Sequence, residues 1–482
     1  MILEPMSTKY TAYLTDESRL KGECEDIVFA ETEEEVSESI KLSLKDNKKV
    51  TLQGARTGLS GACVPNKNRV INLSKLNNLG ELEKTENGAH VHAQCGVTLE
   101  EISKLAESKG YIFPVNATEE TASLGGMFST NAEGPNSLYY APFSAYVKSV
   151  NFTFPSGEIC GINRGEYVIK DKKLSLPNGK TIDFSNISEN LPIAFYKDNI
   201  DLIDFLAGKE GYFGAATSFE LELLKKPNDL WGIVFFFDGE EKALNFADSL
   251  SSYESESARI TTGEYFNEET VELIINNLKN PLLSKLPELP KNAKTAIYVE
   301  LESDSEDESE MALMDLLDMF AQVGGNEEDT WAQNGKTAVK SFRDMRHAVV
   351  SILNENMSIH CVKTGARIET DIKAIPEKYR DYLKLYNDIL NNHSLKGAVY
   401  GCILKNHLHV AILADSEEKF KEAKVAESEI YKKAIADNAL IGAKYGIGKI
   451  KKDVLLNALS DAEKEEIKKI RLAFDPNLLM NP

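Results

Sequence analysis

At 482 residues the chain exceeds what one small hydrophobic core supports and calls for two or three domains. A hydrophobic content of 42% and a charged content of 27% are those of an ordinary globular protein, while a formal net charge of −21 argues against nucleic acid or an anionic membrane as the main partner, because both would repel it. The six cysteines are scattered without a C-x-x-C pair, which speaks against a zinc ribbon, an iron–sulfur cluster or a redox dithiol and reads as reduced thiols in a cytoplasmic protein.

The first residues, Met1 to Met6, carry neither the basic nor the apolar region of a secretory signal, and no apolar run approaches the roughly 20 residues of a membrane span. Ile27-Val28-Phe29 reads as a strand. Residues 33–44 read as a helix with Val36, Ile40 and Leu44 on one face behind an acidic start, and Val50-Thr51-Leu52 as the next strand. This β-α-β unit delivers a glycine-rich stretch from Thr51 to Pro65, with Gly54, Gly58 and Gly61, before a strand over Arg69 to Leu73. Glycine lets successive N–H groups point into one concavity, which suits a pyrophosphate. The spacing is neither that of a Walker A loop nor that of a Rossmann fingerprint.

Residues 89–94 alternate as a strand, and Thr98 with Glu101 forms a capping box for a helix carrying Leu99, Ile102, Leu105 and Ala106 on one side. His90 and His92 share a strand face and read as solvated, because no third metal ligand is near them in sequence. A second glycine-rich segment runs from Ser123 to Pro135 and a third from Gly208 to Gly214. Between them, Asn178-Gly179 predicts a hairpin in a charged stretch with no functional reading. From Leu230 the pattern changes to strands over 231–237 and 296–301 with helices over 240–251 and 311–320. Strands over 397–404 and 407–413 and a helix over 416–436 follow. The alternation predicts an antiparallel sheet backed by helices on one face. The acidic patch from Glu302 to Glu310 reads as a solvated loop.

The three glycine segments, in this order and at these separations, resemble the FAD-binding domain of the vanillyl-alcohol oxidase / p-cresol methylhydroxylase superfamily, and within it the branch of D-lactate, glycolate and D-2-hydroxyglutarate dehydrogenases. The resemblance covers nearly the whole chain. It implies FAD held by Gly54, Ala55, Arg56, Thr57, Gly58, Leu59 and Ser60 in the first segment, by Pro114, Gly125 and Gly126 beneath the isoalloxazine, by Asn131, Gly134 and Tyr140, and by Glu210, Gly211 and Thr217 at the nucleotide end. Thr57 stands where some members tether the flavin through a His, so the implied FAD is non-covalent. Glu133 and Ala141 stand where the family usually has Gly, and Lys209 and Tyr212 are further departures.

On the substrate side, the segment Ser341 to Val349 resembles the family helix whose Arg faces a substrate carboxylate, and the match falls on Arg346. By itself it reads equally well as a surface helix with Arg346 paired to Asp344 or Glu355. The stretch from Tyr400 to His409 stands where the family reads Phe-Gly-His-x-Gly-Asp-Gly-Asn-x-His. Its first metal-binding His falls on Cys402 and its second on His409. Lys444-Tyr445-Gly446-Ile447-Gly448 stands at the family's Glu-His-Gly-x-Gly, which puts Lys444 at the third metal ligand and Tyr445 at the base. These substitutions imply that no divalent metal is bound. In this reading Lys444, helped by Lys405, supplies the positive charge that holds an anionic substrate, and Tyr445 or His409 takes the hydroxyl proton. The end of the chain, from Arg471 to Pro482, resembles the family's Phe-Asp-Pro-x-x-x-x-Asn-Pro signature.

The expectation is an α+β protein: a FAD-binding domain of the p-cresol methylhydroxylase type over 1–227, a ferredoxin-like α+β cap over 228–425, and a C-terminal helical segment over 426–482 returning to the flavin domain. The implied activity is oxidation of a small anionic D-2-hydroxy acid by hydride transfer to FAD. Electrons then pass to a separate acceptor that the sequence does not name: a flavoprotein, a quinone, a cytochrome or oxygen. Two alternatives stay open, a different alcohol on the same fold and a non-catalytic flavin-carrying subunit of an electron-transfer complex.

Overall fold

The structure, a computed structural model, describes residues 2–255, 258–360, 368–374 and 378–480. The chain divides into two compact units. One comprises Met1–Glu133, Ala141–Lys226 and Gly442–Pro482, the other Gly134–Tyr140 and Pro227–Ile441. The α+β class expected from the sequence is observed in both.

In the first unit, strands Glu23–Phe29 and Val50–Gln53 both run parallel to Asn66–Asn72, which lies between them, while Leu3–Pro5 adds an antiparallel edge. The connecting helix Glu33–Lys45 starts at Thr32, whose hydroxyl accepts the Glu35 amide, and carries three acids in its first turn. A second, antiparallel sheet follows the order Leu79–Lys84, Gly88–Gln94, Ala215–Lys225, Val147–Thr153, Ile159–Asn163. Thr98 and Glu101 form the expected capping box, and the Asn178-Gly179 turn joins strands Lys173–Ser175 and Thr181–Asp183. His90 lies 3.3 Å from Glu220, a pairing across the sheet rather than a metal site.

The C-terminal segment completes this unit's core. Phe474, at the end of helix Asp461–Phe474, packs 4.5 Å from Phe213 and 5.8 Å from Phe205 between ring centroids. The Val50 amide donates to the Leu479 carbonyl at 2.9 Å, and Lys49 Nζ donates to the carbonyls of Asn477 and Leu478 at 2.8 and 2.7 Å. Asp475 is fully buried and accepts the Met480 amide at 2.8 Å. Asn481 and Pro482, the last pair of the terminal signature, lie outside the described residues.

In the second unit, one antiparallel sheet follows the order Thr330–Asn334, Asp229–Phe237, Thr295–Ser303, Ala258–Phe266, Lys396–Cys402, His407–Leu413, Ile372–Lys373, Leu440–Ile441. The expectation of helices on one face is corrected here. Phe235 and Phe237 pack against Phe246 and Phe320 of helices Glu240–Ser251 and Glu306–Gln322. Phe236, on the opposite side of the same strand, packs with Trp331 and Phe342 under helix Lys336–His360. The unbroken apolar run Ile233 to Phe237 is the reason, since a strand covered on both sides has no need to alternate. The acidic patch is not a loop either. Glu302 and Ser303 end a buried strand, and Ser305 caps helix Glu306–Gln322, whose first turn takes Glu306, Asp307 and Glu308 at its positive end. Among the described residues no helix is long and apolar enough to cross a membrane, and Cys24, Cys63, Cys95, Cys160 and Cys402 are free thiols.

The first sheet is fastened to its helix by buried charge. Arg69, 1% exposed, donates to Asp26 at 2.6 and 3.2 Å and to Asp46 at 2.9 Å, and Lys48 reaches Asp26 at 2.8 Å. Burial alone would raise the Asp26 pKa, but the bonds from Arg69 and Lys48 hold it below the ordinary 3.8. With the folded-state value the lower one, this contribution is complete above about pH 4 and is lost as pH falls through the folded pKa. Thermal unfolding followed from about pH 5 to about pH 2 should therefore show a falling midpoint, and the fall should be shallower in Asp26→Asn.

Candidate active site

The first glycine segment leaves strand Val50–Gln53 as a stapled loop. Gln53 Nε2 donates to the carbonyls of Tyr13 and Cys63, both at 2.8 Å. Ser123 Oγ accepts the Ala55 amide at 3.3 Å and the Gly126 amide at 3.4 Å, which ties the first segment to the start of helix Leu124–Thr130 in the second. Glycine is required at this crossing, because a Cβ on Gly54 would sit 2.3 Å from Ser123 Oγ and one on Gly125 would sit 2.8 Å from the Cys95 Cβ. Arg56 holds a left-handed φ of 64°, with its guanidinium 4.3 Å from the Tyr13 ring centroid.

The amides of Gly54, Arg56, Thr57, Gly58 and Leu59 donate to no other group among the described residues. These residues are half-buried, and no acidic side chain occurs between Thr51 and Pro65. A run of unspent, reachable amides in a loop whose own sequence holds no acid fits a bound pyrophosphate, with Asp16 the neighbouring carboxylate on the side of Gly58.

Ser60 anchors the far end. Its carbonyl accepts the amides of Lys449 and Ile450 at 3.0 and 3.1 Å, and its hydroxyl lies 3.2 Å from Glu210 of the third segment. Glu210, at φ 50°, also accepts the Gly448 amide at 3.0 Å. Burial raises its carboxyl above the ordinary 4.5, against the pull of the Gly448 amide, Lys451 and Ser60. Lys444 and Tyr445 thus belong to a loop bound directly to the glycine segments, and the Lys451 ammonium lies 5.8 Å from the Tyr445 ring centroid. The glycines of that loop have no alternative. A Cβ on Gly446 would meet Glu210 at 2.4 Å, and one on Gly448, at φ 52°, would meet the Ser60 carbonyl at 2.1 Å.

The remaining expected flavin residues are spread more widely. Asn131, in the left-handed region, accepts the Ser144 amide at 3.0 Å, and Pro114 is buried after strand Tyr111–Ile112. Gly211, at φ 81°, faces Leu52, and the Thr217 hydroxyl lies 2.8 Å from Glu33 inside the sheet. Gly134 and Tyr140 fall in the second unit, where the Tyr140 hydroxyl donates to Glu302 at 2.5 Å. Burial and the Glu302 carboxylate push that phenol well above its ordinary range.

In the second unit, Arg346 is 3% exposed and its Nε lies 3.2 Å from Glu264, which is fully buried on strand Ala258–Phe266. The surface reading is corrected accordingly, and Asp344 pairs instead with Lys340 at 2.8 Å. Lys405 Nζ donates to the Ser137 carbonyl at 3.1 Å. His409 is fully buried with Nδ1 3.0 Å from the Thr370 carbonyl. Two residues earlier on the same strand face, His407 places Nε2 2.9 Å from Asp371 Oδ1. The rings of the two histidines lie 4.8 Å apart.

Of the three positions at which the family resemblance puts metal ligands, His409 keeps an imidazole, Cys402 brings a buried thiol at the end of strand Lys396–Cys402 opposite His407, and Lys444 brings an ammonium that would repel a cation. Asp371 and His407 were missed by sequence reasoning. His407 was detectable from its i, i+2 relation to His409, but Asp371 is joined to it only by the pairing of strand Ile372–Lys373 with His407–Leu413.

Residues 25–163 match the family described as "FAD binding domain", and residues 233–482, more than half of the chain, match "FAD linked oxidases, C-terminal domain". The chain belongs to the FAD linked oxidases. This FAD linked oxidase is similar over 97% of its length to 91% of the D-lactate dehydrogenase of Anaerostipes hadrus, at 24% identity. It is also 24% identical to the D-2-hydroxyglutarate dehydrogenase of Stutzerimonas stutzeri (95% of this chain, 89% of the relative) and 22% identical to the glycolate oxidase subunit GlcD of Bacillus subtilis (95% and 87%). Among solved structures its fold resembles substrate-bound p-cresol methylhydroxylase (TM-score 0.70, 12% identity, covering 100% of this chain and 93% of that one). It also resembles alkyldihydroxyacetonephosphate synthase (TM-score 0.63, 14% identity, 100% and 82%). The oxidase is a FAD-dependent oxidoreductase, as its dehydrogenase relatives and its FAD-binding domain both indicate.

Replacing Gly448 by Ala forces a methyl into the Ser60 carbonyl at a left-handed φ. It should cost about 1–3 kcal/mol by overpacking and loosen the first glycine segment, so the purified variant should carry markedly less FAD per chain, read from the visible flavin absorbance.

Proposed function

We propose that this oxidase converts a small D-2-hydroxy acid to its 2-oxo acid, with FAD bound non-covalently and electrons delivered to a separate acceptor. The observation that carries the reading is the attachment of the loop that follows Lys444 and Tyr445 to the glycine segments, through the amides of Lys449 and Ile450 on the Ser60 carbonyl and of Gly448 on Glu210. Relatives named for D-lactate, D-2-hydroxyglutarate and glycolate, matching 95–97% of this chain, support the substrate class. Thr57, which offers no nucleophilic imidazole, supports non-covalent binding.

FAD, when bound, accepts the hydride from the substrate carbon. Lys444 holds the substrate carboxylate. Tyr445, acting as the phenolate beside the Lys451 ammonium, takes the hydroxyl proton and becomes the neutral phenol, at the position the resemblance gives the family's base. Arg346, already paired with Glu264, supports the substrate-side sheet in this reading rather than receiving the carboxylate.

One observation favours a second reading. With Arg346 paired to a carboxylate of the protein itself, the substrate can be an alcohol that brings none.

Anaerobic titration of the yellow protein with D-lactate, glycolate, D-2-hydroxyglutarate and neutral alcohols decides between them. One hydroxy acid should bleach the flavin, and Tyr445→Phe should slow that bleaching by about 10²–10⁴-fold at unchanged flavin content. Bleaching by a neutral alcohol alone would replace the first reading with the second.

A further inference from the structure

We propose that Asp16 is the protonatable member of the pyrophosphate site: it takes up a proton from solvent when FAD enters the Gly54–Ser60 cradle, so that FAD is held more tightly as pH falls. The proposal rests on the reading of that glycine segment as the pyrophosphate cradle and is independent of the substrate.

Asp16 is 5% exposed, and a Cβ on Gly58 would sit 3.9 Å from its Oδ2. The segment that carries it is fastened to the glycine loop. The Glu17 amide donates to the Arg56 carbonyl at 3.3 Å and the Glu23 amide to the Pro65 carbonyl at 3.0 Å. A Cβ on Gly61 would meet Leu20 at 2.9 Å, and one on Gly22 would meet the Pro65 carbonyl at 2.1 Å. The carboxyl group is therefore held beside the cradle and does not turn out to solvent.

Its two oxygens are not equivalent. Oδ1 accepts the Ser18 amide at 3.0 Å and the Ser18 hydroxyl, whereas Oδ2 receives the Cys63 thiol at 3.7 Å, a weak donor. A proton on Oδ2 leaves both bonds from Ser18 in place. Among the described residues no Lys or Arg forms an ion pair with Asp16. The charged groups around it are Lys449, whose ammonium donates to the Ala62 carbonyl at 3.3 Å, and, beyond Cys63 and Lys449, the Arg56 guanidinium and the Glu210 carboxyl. Burial raises the Asp16 carboxyl above the ordinary 3.8, against the pull of Ser18, Cys63 and Lys449.

A pyrophosphate in the cradle adds negative charge beside this carboxyl group, and a like charge favours the neutral acid still further. With the pKa higher in the complex than in the free protein, the complex binds more protons. Affinity for FAD then rises as pH falls through the higher value and levels off below the lower one. The factor by which FAD strengthens proton binding at Asp16 is the factor by which the proton strengthens FAD binding. An acid can stand beside an anion cradle because it is neutral when the cradle is filled.

The test is the dissociation constant of FAD from the full-length holoprotein, read from flavin fluorescence on stepwise dilution to equilibrium, at intervals from about pH 8 down to about pH 5. The wild type should hold FAD at least about 5-fold more tightly at the low end than at the high end. Asp16→Asn, an isostere of the protonated acid, should lose this dependence and hold FAD more tightly than the wild type at the high end, a gain that damage to the fold would not produce. Asp16→Ser should also lose the dependence and serves where the Asn variant does not fold. A wild-type affinity that is flat or weakens as pH falls would overturn the proposal. So would an Asp16→Asn protein that keeps the wild-type dependence, which would move the proton to another group such as Glu210. A wild type that carries no FAD and takes none up overturns the cradle reading itself, whereas a flavin-loaded protein with a flat profile overturns only the part played by Asp16.

Discussion

The attachment of the Gly446–Ile450 backbone to Ser60 and Glu210 is the constraint on which the flavin-side architecture depends. The Ser60 carbonyl takes two amides from the C-terminal segment, and the Glu210 carboxylate takes a third. One half-buried acid and one serine thereby gather three parts of the chain far apart in sequence. The geometry leaves no room for a side chain at 446 or 448.

A division between backbone and side-chain demands explains what the sequence showed. The helix cap at Thr98 and the hairpin at Asn178-Gly179 are local devices, and each was legible from residues within a few positions of one another. The two-sided burial of strand Asp229–Phe237 was not read correctly, because an unbroken apolar run carries no alternation from which a covered or an exposed face can be inferred. The acidic stretch around Glu306 misled for a different reason. Charge alone suggests solvent, whereas Ser305 in front of it marks a helix start that spends those charges on the helix dipole.

The candidate site divides in the same manner. The first glycine segment could be recognised from sequence because an anion cradle is made of backbone, and glycine spacing records backbone conformation. Charge pairing in the second unit could not. Arg346 finds Glu264, and Arg343 finds Glu300 at 2.6–2.7 Å, across strands whose order follows from the fold rather than from spacing. The Asp371–His407 contact bridges 36 residues in the same way.

The central claim is that the Gly54–Ser60 cradle holds FAD through backbone amides and without a covalent tether. Acid precipitation of the purified protein tests it most directly, with the flavin then assayed in the supernatant and in the pellet. The account predicts that FAD is released quantitatively into the supernatant in roughly one equivalent per chain. Flavin that stays with the pellet, or a protein that carries none and takes none up from added FAD, would contradict it.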